Sequence, residues 1–360
     1  MPKSALVDYS QTGSNSFPVI TLKNVFILPG VPNLLKKSFA VIKSDLFKLH
    51  AKQHQTVVKE CFIKSSEFVI TDQLNHLVKK YSQATFGSYP EWTHNYYETK
   101  LTIEADNEVL AEQIVKEIGE NMDVISYDKC PEINANDKIS KLLTKHQEDK
   151  SFVEKVQESQ RVIEECFKKY SDNEIAIAFN GGKDCMALLH MTHALKQSQN
   201  KSKIQALYIR ESDPFPKVEE FIDKCVTTYN LDLVTIQAPM KEALGSMLEQ
   251  RPNIKAILMG TRQGDPGSKG QSHFSPTDGS WPRVMRVNPI LHWDYHHVWI
   301  FLRGLTLPYP IYYDQGYTSL GGIHNTSPNP NLVQDDGLKA KPAYELEDGT
   351  LERAGRISKK

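Results

Sequence analysis

The sequence predicts an α/β protein in which helices cover both faces of a parallel sheet, preceded by a smaller α+β region. From residue 175 onward, short apolar runs that suit buried strands alternate with longer segments that repeat apolar residues at helical spacing. The first run, residues 175–179, has no polar residue and is followed closely by two glycines. Because parallel sheets bind ligands at the carboxyl ends of their strands, we expect the loops after these runs to share one cleft.

Composition limits the classes of protein to which the chain can belong. Its 360 residues suit two domains, or one large domain with an extension, and 39% of them are hydrophobic, which is enough for buried cores. The formal net charge of -1 gives no sign of nucleic-acid or membrane binding, and no apolar run approaches the length of a membrane span. The five cysteines are scattered, which favours reduced thiols in a cytoplasmic protein and argues against a zinc site.

The N-terminal part contains short strands, a helix and a proline-rich motif. Residues 19–28 suit two strands, and residues 33–46 suit a helix. Leu-Pro-Gly-Val-Pro at 28–32 is compatible with a strand that ends in a proline turn, and it also resembles the closing segment of molybdopterin-binding-type domains. We therefore predict a remnant of such a domain at residues 1–50.

The next segment carries a second motif. Phe-Gly-Ser-Tyr-Pro at 86–90 precedes an alternating strand pattern at 95–104 and a helical pattern at 107–118. This order resembles the small α+β subdomain that follows the molybdopterin-binding-type fold in animal FAD synthases, and we assign to it residues 51–130. The sequence contains no glycine-rich loop of the kind that the resemblance requires upstream. We therefore expect no hydrolase activity there, but a role in packing or in dimer formation.

The remaining elements lead into the larger domain, which we place at residues 152–360. Residues 134–149 are polar and predict a linker or an exposed helix, and we place the linker between the domains at residues 131–151. Residues 152–170 repeat apolar residues at helical spacing, which predicts a helix. Strands and helices then alternate, which implies right-handed crossovers. The predicted strands are residues 175–179, 204–209, 233–236 and 256–259, and the predicted helices are residues 186–196, 217–229, 241–250 and 296–302.

The turn after the first strand carries the first functional signal. Its two glycines allow positive φ, and Asp184 suits the start of a helix. A strand, a glycine turn and a helix aim free N–H groups and the positive helix end at a phosphate, although a simple tight turn has the same pattern. It is not a Walker loop, which has a longer glycine-to-lysine spacing. Phe179-Asn-Gly-Gly-Lys-Asp-Cys resembles the pyrophosphate-binding PP-loop, in the variant found in eukaryotic FAD synthases.

The loops after the second and fourth strands supply further candidate groups. Ile209 ends the second strand, where we expect the adenine ring, although the loop that follows is equally compatible with a simple charged turn. Gly260 allows close backbone approach after the fourth strand, and Asp265 adds a carboxylate, although Asp-Pro is also an ordinary turn. Carboxylates beside a polyphosphate require a cation between them, so we predict Mg²⁺ held by Asp184 and Asp265.

Residues 278–293 and the tail of the chain complete the candidate site. Tryptophan, proline and arginine are dense here, which suits a pocket for a flat ring; alternatively, these side chains only fill a core. We expect Trp281 to stack on an isoalloxazine ring and Asp278 to accept its N–H groups. Arg353 and Arg356 resemble the closing arginine pair that binds nucleotide phosphates in fungal FAD synthases, although arginines at a chain end are ordinarily solvated.

Four motifs in order resemble FAD synthases from about residue 160 to the end: the PP-loop, Gly-Thr-Arg…Asp-Pro from 260, Arg-Val-Asn-Pro-Ile-Leu-His-Trp from 286, and Tyr-Asp-Gln-Gly-Tyr-Thr-Ser-Leu-Gly from 313. The resemblance implies an FMN adenylyltransferase, in which the FMN phosphate attacks the α-phosphorus of ATP in line, with Mg²⁺, and pyrophosphate leaves. On this basis we expect Asp184→Ala to cut turnover by orders of magnitude with little loss of folding.

The resemblance also implies three groups of site residues. The catalytic group is Asn180, Asp184, Asp265, Arg353 and Arg356. The ATP and phosphate group is Phe179, Gly181, Gly182, Lys183, Ile209, Gly260 and Arg262. The flavin group is Asp278, Trp281, Arg283 and Arg286.

Other functions are weighed against this one. A PP-loop sulfonucleotide reductase would need a reactive cysteine near its C-terminus, and no cysteine follows Cys225. A tRNA-modifying PP-loop enzyme would need a basic surface, which the charge balance does not indicate. A non-catalytic flavin- or nucleotide-binding protein would carry the same binding residues, so only an assay separates it from an enzyme.

Overall fold

The computed structural model describes residues 4–8, 18–23, 25–48, 56–197, 203–334 and 339–357. The chain forms two compact units: one comprises Met1–Trp92 and Tyr97–Ile125, and the other comprises Thr93–Tyr96 and Ser126–Lys360. No helix within the described ranges is both long enough and apolar enough to cross a bilayer. The domain boundaries that the sequence analysis gives stay a prediction.

The first unit begins with a three-stranded antiparallel sheet and one helix. Its strands are β1 (Leu6–Asp8), β2 (Val19–Leu22) and β3 (Val25–Ile27), in that order, and the helix is α1 (Pro32–Lys48). The helix starts at the second proline of the Leu-Pro-Gly-Val-Pro motif, where the missing N–H costs nothing. The two strands and the helix predicted at residues 19–46 are therefore confirmed.

A four-stranded antiparallel sheet follows in the first unit, in the order β5-β6-β4-β7. Its elements are β4 (Val57–Ile63), α2 (Glu67–Lys80), β5 (Thr85–Pro90), β6 (Thr99–Ala105), α3 (Glu108–Asn121) and β7 (Val124–Ile125). Leu101 and Ile103 alternate along β6 and are buried against Ile70, Ile114 and other residues of the two helices. One face of the sheet thus makes the core, as the alternating pattern predicts for β6; the sequence analysis left β4 and α2 unassigned.

The second unit is built on a six-stranded sheet with the order β10-β9-β8-β11-β13-β12, parallel except for the edge strand β12. Its strands are β8 (Ile175–Ala178), β9 (Ile204–Ile209), β10 (Leu231–Ile236), β11 (Ala256–Leu258), β12 (Phe274–Pro276) and β13 (Met285–Val287). Its helices are α4 (Ala135–Lys145), α5 (Lys150–Lys169), α6 (Lys183–Gln197), α7 (Pro216–Thr228), α8 (Met240–Gln250) and α9 (Tyr295–Gly304).

Helices cover both faces of this sheet, which confirms the predicted fold class. Ile175 and Ile177 of β8 belong to the apolar core that α5, α6, α7 and α9 make on one face. Ala176 points the other way, into a smaller core with Leu244 and Met247 of α8. A strand buried on both faces needs a continuous apolar run, which is what residues 175–178 provide.

Helix α4 differs from the linker or exposed helix that the polar composition of residues 134–149 suggests. Ala135, Ile139 and Leu142 are buried in the core of the second unit. They stand at positions i, i+4 and i+7, which places them on one face of the helix, while the other positions are largely polar. Leu142 packs so closely on Gly304 that a Cβ there would overlap it. Three apolar positions are enough to bury one face of the helix, although they are too few to give a continuous apolar repeat at helical spacing in the sequence.

Asp314 occupies a largely enclosed polar pocket of the second unit. Its Oδ2 accepts a hydrogen bond from Asn95 Nδ2 at 2.8 Å, and its Oδ1 accepts one from Tyr309 OH at 3.1 Å. Burial raises the pKa of this carboxyl from 3.8 to about 6, although the two hydrogen bonds and Arg303 act in the opposite direction. The native state therefore binds this proton more tightly than the unfolded chain does.

We expect Asp314→Asn to flatten the pH dependence of stability in weakly acidic solution. In the unmodified chain, the raised pKa gives a stabilisation that is complete below pH 3.8 and is lost as the pH rises through about 6. Asparagine imitates the protonated acid, so the variant should be the more stable at pH 7, by roughly 1–3 kcal/mol, and about equal at pH 4. Urea unfolding across this pH range measures the difference; a variant less stable at pH 7 would contradict the assignment.

Candidate active site

The carboxyl ends of β8, β9, β10 and β11 open into one cleft of about 700 Å³. Each strand supplies the residues that follow it, as the parallel topology predicts. The cleft is lined by Phe179 and Asn180 after β8, Ile209 and Arg210 at the end of β9, Gln237 after β10, and Gly260, Thr261 and Asp265 after β11. The predicted loops therefore share one site, and Phe179, Asn180, Ile209, Gly260 and Asp265 reach it directly.

Two glycines shape the entrance to helix α6. Gly181 has φ +74°, a conformation that favours glycine, and a Cβ there would lie 3.0 Å from Ile222 Cγ1. A Cβ at Gly260 would lie 3.1 Å from Cys185 N and 3.2 Å from the backbone carbon of Asp184. The loop after β11 can therefore lie against the first turn of α6 only because residue 260 has no side chain.

The turn satisfies part of its own backbone. Asn180 Oδ1 accepts a hydrogen bond from Gly182 N at 3.0 Å, and Tyr313 OH accepts one from Lys183 N at 3.1 Å. From the sequence we expect Gly181 and Gly182 to bind phosphates and Asn180 to belong to the catalytic group. In this structure the Gly182 amide is bonded within the turn, and Asn180 uses its carbonyl oxygen to hold it.

Behind the turn lies a buried network of four charged side chains. Lys183 Nζ lies 2.9 Å from Asp184 Oδ2 and also pairs with Glu352 Oε1. Arg262 Nε lies 2.8 Å from Asp184 Oδ1, and its Nη2 pairs with Glu352 Oε2. Lys183 and Arg262 are only 1% and 5% exposed. Two cations and two carboxylates alternate, so the network is neutral overall, which is the condition for burying charge.

Three of the predicted residues have charged protein partners in this arrangement, and their predicted roles stay predictions. Lys183 and Arg262, which we expected to hold phosphates, lie buried with their charges paired to carboxylates. Asp184, which we expected to hold a metal, has one oxygen beside Lys183 and the other beside Arg262. The sequence shows these charges close to the glycine turn, but it does not show that Glu352 returns from the tail to neutralise them.

Glu352 is the member of this network that could not be named from the sequence. It directly precedes Arg353 and lies 169 positions from Lys183 in the chain. An acidic residue beside the predicted arginine pair was the one available signal. Thr318 Oγ1 donates a hydrogen bond to its backbone carbonyl at 2.6 Å, which anchors this part of the tail.

The two aspartates of the site differ in their protonation behaviour. Burial by itself raises the pKa of Asp184, but the charges of Arg262 and Lys183 outweigh it, so that the pKa lies below its ordinary value. Burial raises the pKa of Asp265 above its ordinary value, although Arg262 opposes the change. Asp265 Oδ2 accepts a hydrogen bond from Arg262 N at 2.8 Å, whereas its Oδ1 is 4.0 Å from Arg262 Nη2. Asp265 is therefore the better placed of the two to meet a cation.

The two tail arginines lie in different surroundings. Arg353 lines a second cavity, of about 580 Å³, which shares Asp265 with the main cleft. Arg356 lies against Gly321, so closely that a Cβ on residue 321 would overlap the Arg356 guanidinium. Arg356 also interacts electrostatically with Glu211, which lines the main cleft. Neither arginine pairs with a carboxylate of the described residues, in contrast to Lys183 and Arg262.

The four residues predicted to bind a flavin stand at the β12–β13 edge of the sheet. Trp281 packs on the smaller core that also receives Ile209 and Met259 of the cleft. Arg286 Nη2 donates a hydrogen bond to the Pro276 carbonyl at 2.9 Å and lies 3.8 Å from Asp278 Oδ1. The Asp278 side chain is 75% exposed, and Arg283 is exposed as well. The linings of the two cavities include none of these four residues.

Comparison with known proteins identifies the two units. Residues 174–252 and 237–328 match the phosphoadenosine phosphosulfate reductase domain, which contains the cleft. Residues 55–129 match the middle domain of FAD synthase, which corresponds to the four-stranded sheet of the first unit and its helices. The first match contains the four motifs of the larger domain, and the second contains the Phe-Gly-Ser-Tyr-Pro motif.

Relatives and solved structures agree with these matches. A probable FAD synthase of Caenorhabditis elegans is 35% identical over 355 residues, which is 95% of this chain and 68% of the relative. One from Schizosaccharomyces pombe is 44% identical over 205 residues, 55% of this chain and 77% of the relative. The crystal structure of Candida glabrata FMN adenylyltransferase is 27% identical, with a TM-score of 0.59 over 64% of this chain and 97% of that one. The chain therefore belongs to the FAD synthase family.

Proposed function

We propose that this chain is an FMN adenylyltransferase, which joins the AMP part of ATP to the phosphate of FMN and releases pyrophosphate. The observation that carries the proposal is the relationship to a probable FAD synthase along 95% of the chain. The Candida glabrata FMN adenylyltransferase, solved in complex with FAD and inorganic pyrophosphate, is 29% identical with a TM-score of 0.55, over 58% of this chain and 89% of that one. The second unit has the same fold, and its cleft is large enough for a nucleotide.

The proposed chemistry needs no nucleophilic side chain. A phosphate oxygen of FMN attacks the α-phosphorus of ATP in line, the bond from that phosphorus to the bridging oxygen breaks, and the electron pair leaves with pyrophosphate. The protein contributes position and charge. Ile209 and Phe179 line the cleft on the side where we expect the adenine, and the start of α6 gives the phosphates the positive end of a helix.

Arg353 and Arg356 are the cations that we propose for the reacting phosphates. Lys183 and Arg262 have their charges taken by Asp184 and Glu352, whereas no carboxylate of the described residues pairs with the tail arginines. Guanidinium groups match phosphate oxygens in geometry and charge, and charge develops on the leaving pyrophosphate. Lys183 and Arg262 would then act by holding the start of α6 and the loop after β11 together.

We propose that Asp265 and the phosphates of ATP hold Mg²⁺ between them. Asp265 Oδ2 accepts a hydrogen bond from the backbone N–H of Arg262, whereas Asp265 Oδ1 lies beyond hydrogen-bond distance from the Arg262 side chain. A single carboxylate plus substrate phosphates is a usual environment for Mg²⁺, which keeps several waters. The cation would neutralise charge on the phosphates and orient them. Asp184, the other ligand expected from the sequence, has Lys183 beside one oxygen and Arg262 beside the other, so Asp265 is the ligand that we propose.

Asp265→Asn is expected to lower turnover by about 100-fold or more and to raise the Mg²⁺ concentration required. Asparagine can still accept the hydrogen bond from Arg262 N, so the free energy of unfolding should change little. Rates of FAD formation over a Mg²⁺ series, with unfolding curves beside them, measure both effects. Asp223→Asn, at an exposed position on α7, is the matched control. Unchanged Mg²⁺ dependence in Asp265→Asn would place the cation elsewhere.

We propose that the isoalloxazine of FMN binds beside Trp281. This side chain packs on the core that underlies the cleft residues Ile209 and Met259, so a flavin here would lie close to the nucleotide. Trp281→Leu should weaken FMN binding by about 10-fold, since stacking on an aromatic ring is worth roughly 1–2 kcal/mol. FMN fluorescence, quenched when the ring stacks on tryptophan, gives the affinity. Equal affinity and equal quenching in the variant would exclude this position.

The assay that tests the proposed function mixes the purified chain with FMN, ATP and Mg²⁺ and follows FAD by chromatography. We expect FAD to appear in step with pyrophosphate and to stop forming when Mg²⁺ is chelated. Tight FMN binding without any FAD would instead make the chain a flavin-binding relative without catalysis. The same preparation should be compared with Asp265→Asn, because a contaminating enzyme would not respond to that change.

A further inference from the structure

A cluster of two histidines and a glutamate lies outside the lining of the main cleft, at the second cavity, which His292 lines. Glu158 stands on α5, His273 directly precedes β12, and His292 stands between β13 and α9. One oxygen or nitrogen of each side chain lies within 4.8 Å of the others, and no other group of three or more such residues occurs in the described parts of the chain. The scattered cysteines argued against zinc, but this set needs no cysteine, and its members are too far apart in sequence to form a motif.

The distances within the cluster suit a metal. His273 Nε2 lies 3.2 Å from Glu158 Oε1, and His292 Nδ1 lies 3.0 Å from Glu158 Oε2. Ligands at 2.0–2.1 Å from a tetrahedral zinc ion are separated from one another by roughly 3.3 Å. Both separations are close to that value, and one ligand atom of each residue lies within 4.8 Å of the other two, so an ion could bind once the side chains draw together.

The hydrogen bond of His273 fixes which of its ring nitrogens faces Glu158 with a lone pair when the ring is neutral. Its Nδ1 lies 2.8 Å from the carbonyl oxygen of Asn288, which can only accept, so Nδ1 carries the hydrogen. In the neutral ring, Nε2 then presents a lone pair towards an oxygen of Glu158. Two acceptors that face each other require a cation between them, either a proton or a metal ion.

The surroundings hold the ligands in place. Asn288 is fully buried, and its Nδ2 donates hydrogen bonds to Gln271 Oε1 at 3.0 Å and to the Ser272 carbonyl at 2.9 Å. The carbonyl that orients His273 therefore belongs to a fixed residue, which is the arrangement that metal-binding histidines ordinarily have. Beside Glu158, Ser159 Oγ donates to the Pro289 carbonyl at 2.8 Å and accepts from Trp293 Nε1 at 2.9 Å.

We propose that Glu158, His273 and His292 bind one Zn²⁺ or a similar divalent transition-metal ion. Two imidazoles and a carboxylate suit such an ion, whereas Mg²⁺ and Ca²⁺ take oxygen ligands. His292 is 43% exposed, which gives the ion a path and leaves the fourth position open to water or another small ligand. The ion would fasten α5 to the segments on either side of the β12–β13 hairpin.

The test uses the full chain after treatment with a chelator. Equilibrium dialysis against Zn²⁺ at pH 7.5 should give one ion per chain, and at a hundredfold excess over Kd the melting temperature should rise by roughly 5–10 °C. Glu158→Gln and His273→Gln should lose the ion and the rise. Glu154→Gln, at an exposed position one turn earlier on α5, should keep both. Asp265→Asn should also keep both, which separates this site from the Mg²⁺ site.

Two outcomes would overturn the proposal. The first is the absence of Zn²⁺ binding tighter than micromolar in the unmodified chain, a result that does not depend on how any variant folds. The second is that Glu158→Gln and His273→Gln bind Zn²⁺ as the parent does, or lower the melting temperature equally with and without the ion. In that case the three side chains form a proton-bridged cluster. Visible absorption of a Co²⁺-loaded sample supplies a further check, because tetrahedral coordination with nitrogen and oxygen ligands gives a distinctive spectrum.

Discussion

Replacing Asp184 with alanine is expected to abolish FAD formation and also to destabilise the second unit by about 3–5 kcal/mol. Asp184 pairs with both Lys183 and Arg262, which are almost completely buried. Without it, Glu352 alone would face two buried positive charges. An uncompensated charge in the interior is among the most costly changes in a core, so this variant should lose stability as well as activity.

This expectation departs from what the sequence suggested. As a metal ligand at the edge of a cleft, Asp184 could be removed with little loss of folding. As one of two anions in a buried network, it cannot. Urea unfolding and FAD assays on the same preparation separate the two interpretations. A variant that folds with unchanged stability but makes no FAD would restore the role as a metal ligand, and an active variant would contradict both.

The pH dependence of unfolding gives an independent measure of the same residue. Lys183 and Arg262 hold the pKa of Asp184 below its ordinary value of 3.8 despite burial. The resulting stabilisation is present at pH values above 3.8 and is lost as the pH falls below it, where the native state must take up a proton. Asp184→Ala should therefore lose less stability on acidification than the unmodified chain does.

The sequence was sufficient to predict four of the six strands of the sheet, β8 to β11, and the position of the cleft, whereas β12 and β13 were not predicted. Residues 175–178 are apolar at every position, and a chain segment with that composition can be buried on both faces. Once this strand and the next two are parallel, their carboxyl ends must meet, and the residues after them must share a cleft. Phe179, Ile209 and Gly260 are lining residues for that reason alone.

The charge partners could not be predicted in this way. Lys183 and Arg262 stand beside the glycine turn, and a cation there ordinarily suggests a phosphate. Whether such a cation meets a ligand or a carboxylate depends on Glu352. The irregular tail holds Glu352 near Lys183 through individual contacts, such as the hydrogen bond from Thr318. No periodicity encodes such contacts. The cluster of Glu158, His273 and His292 could not be predicted for the same reason, because its members lie far apart in the sequence.

Glu352→Gln is expected to destabilise the chain nearly as much as Asp184→Ala, by about 2–4 kcal/mol, and to lower turnover by at least 10-fold. Glutamine keeps the size of the side chain but removes the charge that Lys183 and Arg262 share. The NH₂ group of glutamine would also face either Lys183 or Arg262. Neither cation has a lone pair that could accept its hydrogens. The backbone stays anchored through Thr318, so Arg353 should remain beside the second cavity.

A double-mutant cycle distinguishes a buried-charge effect from a general loss of packing. If the cost of Glu352→Gln arises from an unpaired cation, Lys183→Met in the same chain should recover part of it, because the double variant has one buried cation and one carboxylate again. The coupling free energy should then be roughly 1–3 kcal/mol in the direction of recovery. Glu347→Gln, exposed in the same tail, is the control and should leave stability unchanged. Additive losses in the double variant would mean that the network does not act as a charge-balanced unit, and that Glu352 holds the tail by shape alone.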